Sequence, residues 1–76
     1  MSHLTPLSPR RLMQLLEREG FSCIRIRGSH HFFLHADGRT TMVPVHGGKD
    51  VGVGLIRTIL REVSWSVGEF QKRLGK

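Results

Sequence analysis

A single cysteine, Cys23, is all the thiol chemistry in this chain of 76 residues. One cysteine excludes an internal disulfide and any zinc site built on paired thiolates. It is expected to be a small buried residue. The lack of disulfides fits a reducing compartment. No apolar run approaches the roughly 18 residues that a membrane helix needs. The opening stretch Met1–Pro6 has no signal-peptide apolar region. These absences point to a cytoplasmic protein with no membrane role. Acidic residues are scarce, 6 against 12 Lys and Arg, for a net charge of +6. There is no polybasic block, no internal repeat and no low-complexity tract. The positive charge is spread from Arg10 to Lys76, which argues against a disordered basic tail. A folded domain with a basic face fits better, and its natural polyanionic partner is nucleic acid.

What is present is enough for one small domain over residues 1–76, with a core between two layers. Residues 1–7 read as a loosely ordered lead-in. Ser8 can cap a helix that Pro9 opens. Leu12, Leu15 and Leu16 form its apolar stripe, Met13 lies at the edge, and Gly20 ends it. Phe21 to Arg27 reads as a strand, with Ile24 and Ile26 pointing one way and Arg25 and Arg27 the other. Gly28-Ser29 is a turn, and His30 to His35 is a second strand. Asp37-Gly38 signals a hairpin. Arg39 to Val45 is a third strand, limited by Pro44 to an edge or a strand end. His46 to Asp50 is a loop, and Val51 to Gly54 has little propensity for any structure. A helix follows from about Gly54 to Val63, with Leu55, Ile56, Ile59, Leu60 and Val63 on its apolar face. Ser64 or Ser66 can cap a last short helix anchored by Trp65 and Phe70. The order is helix, three antiparallel strands, helix and a terminal helical turn. Two helices on one sheet face leave the other face open, and Arg25 and Arg27 are expected there.

The chemistry concentrates in Gly28-Ser29-His30-His31-Phe32-Phe33-Leu34-His35, which holds three of the five histidines. Imidazole is the side chain that exchanges a proton near neutral pH. Adjacent histidines on a strand point to opposite faces, so His30 and His31 are poor metal co-ligands; no metal or other cofactor is expected. Gly47-Gly48-Lys49 resembles the tail of a P-loop, but Val43 stands where the first glycine belongs and Asp50 where Ser or Thr belongs. Triphosphate hydrolysis is rejected, while Lys49 and the loop backbone can still meet a single phosphate. Acid–base chemistry remains. RNA brings its own nucleophile, the 2′-hydroxyl, so one histidine and a few cations suffice to cleave it. His30 beside Ser29 is the candidate for proton transfer; Arg25, Arg27 and Lys49 are candidate phosphate clamps. The competing readings are an RNA-binding module without catalysis, and a structural histidine with incidental basicity.

The succession Gly28-Ser29-His30-His31, His35 with Asp37-Gly38, Val43-Pro44 with His46, Gly48-Lys49-Asp50 and a Leu/Ile-rich helix resembles the HicA family, the YcfA-like toxins of HicA/HicB toxin–antitoxin pairs. The resemblance runs from about Leu7 to Phe70. It implies a fold like a double-stranded-RNA-binding domain, of α+β class and order α-β-β-β-α. It implies an endoribonuclease that cuts mRNA and blocks translation, and a cognate HicB antitoxin that covers the active site. The family's functional histidine lies in its Gly-Ser-His motif, which carries over to His30, with His31 as second candidate. This chain departs from the family at Ala36, where proline is common, and at Val51-Gly52-Val53-Gly54, where a polar linker is usual. Phe32 and Leu34 are also more apolar than the outward positions of that strand usually are. They imply an exposed strip for weak self-association or antitoxin docking.

Overall fold

The computed structural model of the protein describes residues 3–75. Helix α1 spans Pro9–Arg18, strands β1, β2 and β3 span Phe21–Arg27, His30–His35 and Thr40–Pro44, and helices α2 and α3 span Val53–Val63 and Val67–Arg73. The sheet is antiparallel throughout, in the order β1-β2-β3. This is the expected α-β-β-β-α order with a short C-terminal helix, consistent with the two-layer fold of a double-stranded-RNA-binding domain.

Each element forms for local reasons. The Ser8 hydroxyl accepts from the Arg11 N–H at 3.2 Å, and Pro9 occupies the first helical position of α1. Gly28-Ser29 closes a two-residue hairpin between the paired residues Arg27 and His30; Gly28 takes a φ of +58°, which places glycine at the first central position. Ser66 caps α3 through a reciprocal pair of bonds. Its hydroxyl accepts from the Glu69 N–H at 3.0 Å, and its own N–H donates to the Glu69 carboxylate at 2.8 Å.

The core lies between the helices and one sheet face. Leu12, Leu15 and Leu16 from α1 meet Phe21, Phe33 and Val43 from the sheet and Ile56, Ile59, Leu60 and Val63 from α2. Trp65 and Phe70 close it from the C-terminal side. Burying so many large side chains is the main stabilising term; each full burial contributes roughly 1.5–3 kcal/mol. Arg39 ties the β2–β3 hairpin to the end of α2. Its guanidinium donates to the Val63 carbonyl at 2.6 Å and lies 5.2 Å from the centre of the Phe21 ring.

Four expectations are corrected. Cys23 is exposed, not buried. Ile24 and Ile26 do not enter the core; each is 59% exposed. Both facts share a cause: β1 is an edge strand, only its first residue, Phe21, is buried, and a bulge interrupts its alternation at Ile24. Within residues 3–7 the lead-in is anchored rather than loose at two points, since Leu4 joins the core and Leu7 exchanges two backbone bonds with Val51, while Met1 and Ser2 lie outside the described residues. That pairing also gives order to Val51, which is buried. The third strand is shorter than expected, Thr40–Pro44 instead of Arg39–Val45.

Candidate nucleic-acid interface

Residues opposite one another on paired strands share a face. The pairs Arg27↔His30, Arg25↔Phe32, His30↔Pro44 and Phe32↔Met42 therefore put Arg25, Arg27, His30, Phe32, Met42 and Pro44 together. The neighbouring set, containing Phe33, Thr41 and Val43, is buried against the helices. The first set is the open face, where Arg25 and Arg27 were expected.

His30 is exposed and stands at the hairpin end of β2. Its ring is 6.4 Å from that of Phe32, edge to face, and the Arg25 guanidinium lies over the same Phe32 ring at 4.7 Å. Cation, aromatic ring and imidazole thus form one continuous strip. No Asp or Glu pairs into this face, and among the described residues neither Arg25 nor Arg27 has a carboxylate within 4 Å. The acids have other partners, although Glu62 lines a cavity with Arg25, Phe32 and Met42. Asp37 is held by Arg39, Glu19 and Glu69 by Arg73, and Glu62 accepts from the Thr41 hydroxyl at 2.8 Å. The hydrogen bond from Arg39 holds the Asp37 carboxyl below its ordinary range, with the Arg39 charge acting the same way.

His31 pairs with Ile26 and Val43, on the helix-covered side of the sheet, and is half-buried. His30 and His31 are thus on opposite faces. Ser29 is half-buried in the hairpin turn, and its carbonyl accepts from the Val45 N–H at 2.6 Å. Lys49 is not on the open face; it lies on the loop after β3, lining a cavity with Arg10 and Met13 at the start of α1. His35 has a structural place. Its Nδ1 accepts from the Asp37 N–H at 3.1 Å, its ring meets Phe21 edge-on at 4.9 Å, and Gly20 is pressed against its Nε2. Sequence reasoning missed Phe32 as the platform beneath Arg25. The signal was there, since Phe32 is two residues from His30 on the same strand face. Among the described residues no three His, Cys, Asp or Glu side chains gather in a way that could hold a metal ion.

A small α+β domain with one sheet face open and carrying Arg25, Arg27 and His30 defines the class. The family is narrower. The model of the family described as "HicA toxin of bacterial toxin-antitoxin" matches residues 9–65, and the chain belongs to that family. It is therefore a toxin of a toxin–antitoxin system, and an antitoxin partner goes with that role. A comparison with curated proteins returned no match. No helix among the described residues is long and apolar enough to cross a membrane.

Proposed function

We propose that this toxin is an endoribonuclease that cuts mRNA in the cytoplasm without a metal, with His30 moving the proton. The observation that carries the reading is the exposed His30 on a face shared with Arg25 and Arg27, neither of which has a carboxylate within 4 Å among the described residues. The 2′-hydroxyl oxygen attacks the adjacent phosphorus, and the bond from phosphorus to the 5′-oxygen breaks. One proton leaves the 2′-hydroxyl and one reaches the departing 5′-oxygen. His30 takes the first or gives the second, and guanidinium groups stabilise the charge that gathers on the phosphoryl oxygens. Arg25 and Arg27 supply that stabilisation; Ser29 and Lys49 hold flanking backbone. His31, on the covered face, is the second candidate.

The cognate HicB antitoxin is the partner this reading implies, and an acidic patch on it would complement the basic face. Ile24, Ile26 and Leu34 leave apolar area exposed on the sheet, which supports docking of the antitoxin or weak self-association. A second reading, RNA binding without cleavage, is favoured by the Arg25–Phe32 stack, because cation and ring together accept a base face. Binding and cleavage of one labelled mRNA, measured side by side for wild type and His30→Ala, separate the two. Catalysis predicts that the variant binds within a few-fold of wild type and does not cut. A wild type that binds and never cuts leaves the binding module.

A further inference from the structure

Beside the sheet end that holds His30 lies a cavity of about 280 Å³. Its wall is apolar: Pro9 and Met13 from α1, and Val45 just after β3. Its rim carries Arg10, His46 and Lys49, all exposed. Two backbone links fix its position relative to the open face. Pro44 pairs with His30, and the next residue, Val45, donates to the Ser29 carbonyl. The cavity therefore begins one residue beyond the partner of His30. Among the described residues Arg10 and Lys49 have no carboxylate within 4 Å.

The geometry points to a binding site for one unpaired nucleotide of the RNA, its base against Met13 and Val45 and its phosphate between Arg10 and Lys49. The inference rests on the ribonuclease reading and adds a substrate subsite to it. The volume lies just below the roughly 300–1,000 Å³ of small-molecule sites, the scale of a single nucleotide. An apolar wall flanked by an imidazole suits the face of a base, and single-stranded RNA is recognised by stacking of this kind. A guanidinium and an ammonium suit a phosphate. Gly47 and Gly48 place no side chain in the way, and nothing lies within 4 Å of where a Cβ would stand on either. Asp50, the one carboxylate in the lining, repels a second phosphate and accepts a hydrogen bond from a base amino group or ribose hydroxyl. An RNA strand held here must present an unpaired base, which makes the toxin selective for unstructured mRNA.

The test is a titration of the full chain with mononucleotides, which have no phosphodiester to cut. Uridine or adenosine monophosphate is added while the Met13 methyl and the Gly47 and Gly48 amides are followed by NMR. Both sets of signals are expected to move together, whereas inorganic phosphate moves the glycine amides alone. Arg10→Gln and Lys49→Gln are each expected to weaken mononucleotide binding about tenfold, the scale of one charged hydrogen bond. Both side chains are exposed, so these variants keep the fold. His46→Ala is expected to weaken mononucleotide binding and leave phosphate binding unchanged. Mononucleotides that leave the Met13 methyl in place, or that move only Phe32 and the open sheet face, overturn the inference. Cleavage of mRNA by a toxin whose cavity ignores nucleotides leaves the ribonuclease reading standing alone. Nucleotide binding at the cavity of a toxin that cuts nothing removes that reading and keeps the site.

Discussion

Gly20 and His35 show how much of a histidine's environment a short run of sequence conceals. Gly20 has a φ of +98°, and a Cβ there would lie 2.8 Å from His35 Nε2. Gly20→Ala therefore meets strain and a clash at once, and is expected to cost about 1–3 kcal/mol in urea unfolding. The same contact, with the Asp37 bonds, gives His35 a structural duty. The alternation of a strand was enough to separate His30 from His31 in advance, because side-chain direction has a period of two. It could not separate the duties of His31 and His35, which depend on what the helices cover. Nor could it foresee the bulge at Ile24, which exposes Ile24 beside an edge strand whose Cys23 also faces water. Cys23 is expected to react with a thiol reagent in the native protein almost as fast as in urea; strong native protection would contradict the exposed edge.

At the scale of elements, the ends of helices were read well because their signals are local. Ser8-Pro9 opens α1 where the sequence indicates, and Ser66 rather than Ser64 caps α3, since Ser64 takes the left-handed conformation that ends α2. Ser66→Ala is expected to cost about 1 kcal/mol of stability by thermal or urea unfolding. Bonds from Ser66 hold the Glu69 carboxyl below its ordinary range, and Arg39 does the same for Asp37. A lowered folded-state value means that the stabilisation is complete above the ordinary carboxylate range and fades as pH falls through it. Acid unfolding is the check: Glu69→Gln is expected to lose part of the dependence below pH about 4.3, the ordinary glutamate value. The pairing of Leu7 with Val51 was not readable, because it joins two segments of weak propensity across the whole of the α1–β3 unit.

Across the whole molecule, the scarcity of acids matters less than where they lie. Asp37, Glu19 and Glu69 are paired with arginines away from the open face, which leaves Arg25, Arg27 and Lys49 without a carboxylate within 4 Å among the described residues. If these meet phosphates, Arg25→Gln is expected to lower the slope of log affinity for mRNA against log salt by roughly one unit or somewhat less. An unchanged slope takes Arg25 off the interface. The basic character and the α-β-β-β-α order were plain from composition and periodicity, whereas the Arg25–Phe32–His30 strip needed the register of two strand pairs. In the proposed mechanism the open face, not the covered one, does the chemistry. The most direct test is cleavage of a labelled mRNA in EDTA by wild type, His30→Ala and His31→Ala, with folding checked by circular dichroism. Wild type and His31→Ala are expected to cut, and folded His30→Ala is not. Cutting by His30→Ala at the wild-type rate, or loss of cutting by a folded His31→Ala alone, would contradict that mechanism.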